Sequence, residues 1–372
     1  MNRTLARRLV AVVLALMATV AFAPAVQANG DGSGSGKAKG KAKAKQRANV
    51  TVMTRNLYLG TDLLPIVLAP TLADFEAAAT AGFQQVQATN FPARARLIAR
   101  EIRRTKPDLI GLQEVALWRT GPKGPAPATN VVYDYVRILR RALERTGQRY
   151  MVVRKTTEAD VEGPTSGDFD VRLTMRDVIL AKKRKGMRIL RRGGGNFDAA
   201  IALETQAGTF TSTRGFAWAD VKLRGKRFRF VDTHLEAFGN EVRTAQAAEL
   251  VAPGGPARVR GRVILVGDLN SDPEGDTGPG PEPDAWQVLV DAGLRDTWPW
   301  LYPNRPGHAC CIQDPGLMGP ATFTHRIDDV LAKGRLRPLN ARIVGTHPRR
   351  SRTRSGLWAS DHGGLAVRIK LK

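Results

Sequence analysis

Chemistry in this chain is most legible at Val263–Pro273, VILVGDLNSDP. Four apolar, mostly β-branched residues, Val263 to Val266, predict a short strand buried on both faces and broken at Gly267. Asp268 and Asn270 then alternate with Leu269, so in extended backbone both polar side chains leave one face while the leucine anchors behind them. One of the pair can accept a proton or hold water, and the other can donate to a phosphate oxygen. Alone, such a terminus is what any strand-ending turn looks like, because Asp and Asn are common turn residues. Other strand ends carry the same kind of terminus, however: Asn56 after NVTVMTR, Gln113-Glu114 after DLIGL, Thr233-His234 after an alternating arm, Arg326-Ile327-Asp328-Asp329, and Ser360-Asp361-His362 ahead of the last strand. Cleaving a phosphate ester needs charge neutralised on the phosphoryl oxygens and an activated water, and these residue types permit both. Glu114 offers a hard oxygen ligand of the kind Mg²⁺ takes. A single His at a strand end, such as His234, is by itself more often structural than catalytic.

These termini require a framework of strands and helices. Asn49–Gly60 alternates as a strand, and Pro92 opens an amphipathic helix with Ala95, Ile98, Ala99 and Ile102 on one face and Arg94, Arg96, Arg100, Arg103 and Arg104 around the other, stopped at Lys106-Pro107. Asp108–Leu112, Tyr150–Arg154, Leu173–Lys182, Met187–Leu190, Ala341–Gly345 and Leu365–Leu371 read as strands, Val131–Arg145 as a helix and Gly163–Asp170 as a loop. Phe216–Leu223 and Arg227–Leu235 form a hairpin across Arg224-Gly225-Lys226. Asp74–Gln87, Glu241–Leu250 and Trp286–Gly293 read as helices, and Trp298–Gly319 as an irregular aromatic loop. From residue 49 to 372 the chain suffices for one large α/β domain without an internal repeat.

Ahead of that domain, Arg3, Arg7 and Arg8 precede an apolar run from Leu9 to Ala23, and Val26-Gln27-Ala28 offers small residues for a signal peptidase. Residues 1–28 are therefore expected to be a signal peptide cleaved after Ala28, and the protein to be secreted. Residues 29–48, rich in Gly, Ser, Lys and Ala, cannot bury a core and read as a solvated basic tether. The formal net charge is +24, and the tether and leader account for only part of it, so the domain itself is basic. That favours a polyanionic partner or substrate. Cys310-Cys311, the only two cysteines, provide neither a disulfide framework nor metal-ligand spacing and are not assigned to catalysis; a vicinal disulfide would suit an exported protein.

The ordered series Asn56, Gln113-Glu114, Thr233-His234-Leu235, Gly267-Asp268-Leu269-Asn270, Arg326-Ile327-Asp328 and Ser360-Asp361-His362 resembles the endonuclease/exonuclease/phosphatase superfamily. The resemblance spans residues 49–372 and implies a four-layered α/β sandwich, two packed mixed β-sheets flanked by helices, with the site at one sheet edge. It implies Glu114 as principal metal ligand with Asn56 nearby and Asp361 contributing to a second position. Mg²⁺ is the implied ion, with Mn²⁺ or Ca²⁺ as substitutes. His362 would be the general base or would stabilise the phosphorane, Asp328 would orient it, and Asp268 would position the nucleophile. Asn270 and His234 would donate to the scissile phosphate, Arg176 is a weaker candidate for the same contact, and Asp329 is a neighbour only. The basic loop Arg349–Arg354 is expected close to the catalytic edge, where it would suit a polyphosphate backbone.

The favoured expectation is an exported phosphodiesterase acting on nucleic acid with little sequence specificity, since no base-reading motif is present. The alternatives are a phospholipid head-group phosphodiesterase, for which exposed apolar residues in Thr61–Leu72 would argue, and a non-catalytic polyanion-binding module, against which the intact acid, amide and imidazole set argues. A phosphomonoester substrate also fits these residues. No protein partner is evident, and a monomer is expected.

Overall fold

A computed structural model describes residues 48–273 and 284–372. The leader, all of the tether but Ala48, and most of the Pro- and Gly-rich stretch after Asp272 lie outside the described residues. In chain order the elements are β1 (Asn49–Asn56), α1 (Leu64–Val67), α2 (Leu72–Ala88), α3 (Phe91–Thr105), β2 (Leu109–Gln113), β3 (Leu117–Pro122), β4 (Asn130–Asp134) and α4 (Tyr135–Arg145). They continue with β5 (Tyr150–Pro164), β6 (Phe169–Lys182), β7 (Met187–Asn196), β8 (Ile201–Thr205), β9 (Gly208–Ser212), β10 (Gly215–Leu223), β11 (Lys226–His234) and α5 (Asn240–Val251). The last are β12 (Val263–Asp268), α6 (Ala285–Asp291), β13 (Arg295–Asp296), α7 (Thr297–Leu301), β14 (Asp328–Lys333), β15 (Leu336–Val344) and β16 (Gly364–Leu371).

Two principal sheets result. An eight-stranded sheet runs β15-β16-β1-β2-β6-β3-β4, with β5 also paired to β6, and a six-stranded sheet runs β13-β14-β12-β11-β10-β7. Both are mixed, because β1 pairs parallel with β2 and β11 parallel with β12 while their other neighbours are antiparallel. The period-two alternation of the strands decides which side chains meet. Val50, Val52, Leu109 and Ile179 from one sheet pack against Phe230, Ile264, Val266 and Val330 from the other. On the outer face of the larger sheet, Met53, Ile110, Val178 and Leu180 lie under Ile98 and Ile102 of α3 and Leu139 of α4. Val263 and Leu265 face the opposite way, onto Ala247 and Leu250 of α5 and Leu289 of α6. Helices, sheet, sheet, helices is the four-layered order expected from the sequence, and Val263–Val266 are buried on both faces because each face has its own layer to meet.

Several elements differ from the sequence reading for identifiable reasons. Val131–Arg145 is not all helix: β4 first pairs antiparallel with β3, and Asp134 then accepts from Val136 N (3.2 Å) to start α4 at Tyr135. The stretch 163–170, read as a loop, is a loop only over 165–168, because β5 and β6 stay paired out to Pro164 and Asp170. The β8–β9 hairpin has no counterpart in the sequence reading. Helix α3 matches in extent, with an Asn90 cap and a left-handed Lys106 at its end, and buries Ala95, Ile98, Ala99 and Ile102 as expected. Arg94, placed on its solvated face from the sequence, is instead fully buried. Its guanidinium donates to the carbonyls of Leu57 (2.7 Å), Thr89 (2.8 Å), Tyr58 and Ala359 (both 3.1 Å), loop oxygens that no strand pairs. In the Thr61–Asn90 segment, Leu63, Ile66 and Val67 pack on the core while Leu64, Leu68 and Leu72 are 40%, 70% and 49% exposed.

One glycine governs how closely the sheets approach. A Cβ at Gly111 in β2 would stand 2.3 Å from Asp232 Oδ1 and 2.6 Å from Val266 Cγ2. Gly111→Ala is therefore expected to destabilise the fold by about 1–3 kcal/mol, the usual cost of overpacking, as a lowered urea midpoint with an unchanged slope.

Candidate active site

Strand register brings the expected residues together before any loop is considered. Across the smaller sheet, His234 pairs with Asp268 and Asp268 with Asp328, so three polar termini stand in a row. Across the larger one, Asn56 pairs with Gln113 and Arg55 with Gly364, which brings Glu114 and the Ser360–His362 loop to the same edge. Three non-glycine residues turn the chain at this edge in the left-handed region: Tyr58 (φ 56°), Glu114 (φ 54°) and Asn270 (φ 48°). Such conformations cost about 1–3 kcal/mol each and persist where surroundings dictate them, commonly at functional sites. Asn270 is thus not extended as the sequence suggested, yet its side chain and that of Asp268 both line the same cavity, while Leu269 is fully buried.

That cavity has a volume of about 510 Å³ and is lined by Glu114, Asp268, Asn270, His234, Asp361 and His362, by Arg214 and Tyr58, and at its mouth by Leu64, Phe210 and Phe238. His362 Nδ1 lies 2.7 Å from Asp328 Oδ2 and 3.7 Å from Asp268 Oδ2. Although burial opposes it, the carboxylates of Asp328, Asp361 and Asp268 hold the His362 pKa well above the ordinary imidazole value. Burial pushes Asp328 up to about 6, against the attraction of His362. With Nδ1 committed to Asp328, Nε2 is the nitrogen left to exchange a proton, the orientation the sequence assigned to this pair. Facing that nitrogen are the sulfurs of Cys310 (3.6 Å) and Cys311 (4.0 Å), joined in a vicinal disulfide, with Cys311 part of the cavity wall. His234 is held differently: burial first, then Arg214 and His362, lower its pKa well below the ordinary value, so it stands neutral.

Asn56, expected beside the metal, has another task. The N–H of Tyr58 can only donate, so the Asn56 atom 2.8 Å from it is the carbonyl oxygen. The NH₂ group then donates to Glu114 Oε1 and Asp268 Oδ2, both at 2.9 Å. Asn56 therefore bridges two carboxylates and fixes their separation. Glu114 also accepts from Leu59 N (2.7 Å), and its pKa is raised by burial and then by Asp361. Two carboxylates that disfavour each other's charge, with hard oxygen donors and open space beside them, fit a divalent cation of the Mg²⁺ type, which takes one or two carboxylates and completes its shell with water. Groups with three ligand atoms within 4.8 Å of one another also occur among the described residues: Asp268, Asp328 and His362, and Glu158, Asp177 and His234.

Arg176 is a correction. It lies in the middle of β6, and its guanidinium donates to the carbonyls of Val115 (2.9 Å) and Ala116 (3.1 Å) and to Asp134 (2.9 Å), outside the cavity. It braces the turn behind Glu114 and is not a phosphate contact. Asp329 is a neighbour, as read, paired with Arg326 at 2.9 Å. The cation that does reach the cavity is Arg214, missed in the sequence because it sits between strands with no polar terminus to flag it. Its Nη1 lies 3.0 Å from His234 Nδ1 and its Nε 3.4 Å from Glu236. Also unflagged is the buried acid group behind His234, where Glu158 and Asp177 face each other with no N–H donating to either carboxyl, and burial lifts Glu158 to about 7 and Asp177 well above the ordinary range.

The geometry defines a phosphoester-hydrolysing centre, and the comparisons agree. The model of the endonuclease/exonuclease/phosphatase family matches residues 80–362, and the chain belongs to that family of metal-dependent phosphoester hydrolases. Solved structures share the fold. A family protein from Bacteroides thetaiotaomicron is 16% identical, with a TM-score of 0.54 over 88% of this chain and 99% of that one. A family protein from Beutenbergia cavernae is 20% identical, with a TM-score of 0.54 over 87% and 72% of the two chains. A mannosyl-6-phosphatase from Bacteroides thetaiotaomicron is 16% identical, with a TM-score of 0.51 over 86% and 99%. No curated protein sequence matches the chain.

Two outcomes follow from these placements. Arg176→Met should lower stability by about 1–3 kcal/mol, the cost of leaving buried carbonyls unpaired, with the substrate KM unchanged; a KM increase without loss of stability would restore it as a phosphate contact. Glu158 binds its proton more tightly folded, near 7, than unfolded, near 4.3, so its contribution falls as pH rises through that window. Thermal melts from about pH 5 to 8 should therefore show a falling melting temperature. Glu158→Gln should flatten that fall.

Proposed function

We propose that this protein is an exported, Mg²⁺-dependent phosphodiesterase that hydrolyses nucleic acid with little sequence specificity. The observation that carries the reading is the His362–Asp328 pair set opposite the Glu114 and Asp361 carboxylates in one cavity of a strongly basic chain. Glu114 and Asp361 would hold the cation, whose charge would neutralise the phosphoryl oxygens. His362, held as the imidazolium by Asp328 and its neighbouring carboxylates, donates from Nε2 to the charge that develops on the phosphorane, and Asp328 fixes its orientation. Asp268, held by Asn56 and by the N–H of Asn270 (3.1 Å), orients the water. Asn270, neutral His234 and Arg214 face the same space and supply donors to the phosphate. Phe238, 49% exposed at the mouth, offers a flat apolar face to a nucleobase.

A second reading, a phospholipid head-group diesterase, is favoured by one specific observation: Leu64, which lines the cavity, is followed in the chain by exposed Leu68 and Leu72, and exposed apolar side chains suit a lipid surface.

The deciding experiment sets plasmid DNA, RNA and sphingomyelin vesicles side by side with the purified protein, with Mg²⁺ and with EDTA, against His362→Ala. Metal-dependent nicking that falls by about 10²–10⁴ in the variant is the expected result, the range that general acid–base catalysis supplies. Phosphocholine release with intact DNA would move the substrate to lipid. Equal inertness of both proteins would defeat the catalytic reading.

A further inference from the structure

The basic loop that the sequence placed at the catalytic edge lines a cavity of its own. This cavity, of about 640 Å³, lies between α3 and the segment following β15, and none of the residues that line the catalytic cavity is among its walls. Arg100 and Arg104 reach it from α3, Arg342 from β15, and Arg349, Arg350 and Arg354 from the loop. Every one of these six is exposed. No ion pair to a carboxylate is formed by any of them among the described residues, and the one acid in the wall, Glu101, is committed to Arg55 at 3.0 Å. Six guanidinium groups converging without counter-charge repel one another unless an anion sits among them.

The loop is built to present them. His347 Nδ1 accepts from the backbone N–H of Arg349 (3.2 Å) and Arg350 (3.3 Å), and Ser351 Oγ accepts from His347 N (3.1 Å), so the turn is fixed at its root. Arg352 stays out of the ligand set: it donates to the carbonyls of Met318 (2.9 Å) and Gly356 (2.8 Å) and stacks 4.3 Å from the Trp358 ring centroid, holding the loop shut. Gly345 forms part of the wall, and a Cβ there would stand 3.0 Å from Arg55 Nη2 and 3.2 Å from Glu101 Oε1, two buried atoms with no hydrogen-bond partner. Arg55 Nη1 in turn donates to the carbonyl of His362 (2.5 Å). The cavity and the catalytic histidine therefore rest on opposite sides of one buried arginine.

We propose that this cavity is a second anion site that grips the phosphate backbone of a nucleic-acid strand away from the scissile bond. This rests on the nucleic-acid reading above and deepens it. Arginine forks bind phosphate oxygens two at a time, and a rim of six spread over three elements matches a chain of phosphates better than a single one. The contacts carry no base information, in keeping with weak sequence specificity.

The test compares the full-length protein with Arg349→Ser/Arg350→Ser/Arg354→Ser and with Arg137→Ser/Arg140→Ser/Arg141→Ser, which removes equal charge from α4. Binding of a fluorescent single strand of about 20 nucleotides is followed by anisotropy in EDTA, where nothing is cleaved, between about 50 and 200 mM salt. The loop variant is expected to bind about tenfold more weakly, with a salt slope shallower by about 2, roughly 0.7 for each phosphate no longer neutralised. The α4 variant should bind as the parent does, and bis(p-nitrophenyl) phosphate should be hydrolysed equally by all three. A loop variant that binds like the parent, or an α4 variant that loses as much, overturns the site. Arginine-dependent binding by a protein that cleaves no nucleic acid would leave the site standing and remove the function proposed above. Cleavage that ignores the loop arginines would do the reverse.

Discussion

Negative charge crowded into a nearly dry sheet edge is the constraint around which this molecule is arranged. Asp268 and Asp328 face each other as cross-strand partners, where like charges destabilise, and Glu114 and Asp361 stand close by. Each is made tolerable by a specific neighbour. Asn56 places its two N–H bonds between Glu114 and Asp268, and His362 lies against Asp328. The same device recurs one layer deeper, where Arg214 serves Glu158, Glu236 and His234 together. What remains uncompensated on the cavity side is the charge that a cation and a phosphate would share.

Most of the polar residues of the cavity lie at or next to strand ends, which is why their geometry is set largely by sheet register. Parallel pairing of β1 with β2 and of β11 with β12 brings Asn56 beside Gln113 and His234 beside Asp268 with no help from side chains. The left-handed turns at Tyr58, Glu114 and Asn270 then swing the next residues out of the sheet plane and into the cavity. Lid elements contribute less chemistry and more shape: Asp62 to Leu64 and Cys311 to Pro315 close two sides of the space.

Much of this was legible from the sequence because burial on both faces and a polar terminus are local signals. The strand at Val263–Val266, which runs on through Gly267 to Asp268 instead of breaking at the glycine, the helix from Pro92 to the Lys106-Pro107 stop and the hairpin around Arg224-Gly225 follow from periodicity and turn chemistry alone. Of the side chains in the cavity, Asp268, Asn270, His234 and Glu114 stand out as polar strand termini, while Asp361 and His362 gain their weight from the family resemblance. What failed was the fate of arginine. Arg94 looks in the sequence like a solvated charge, Arg176 like a weak candidate for a phosphate contact, and Arg214 carries no signal, yet each is buried because unpaired carbonyls or carboxylates from distant elements needed a multivalent donor. That demand is created by tertiary contact, and no window of neighbouring residues contains it. The basic loop is a different case: expected close to the catalytic edge, Arg349–Arg354 line a cavity of their own that shares no wall residue with the first.

Arg55 joins two segments 307 residues apart, donating to its neighbour Asn56 and to the carbonyl of His362. The first strand and the last thus meet at one site, since β16 pairs with β1 from Asn49 to Arg55. During synthesis, a chain that lacks its final residues has its acids and its bridging amide but no His362 and no antiparallel partner for β1.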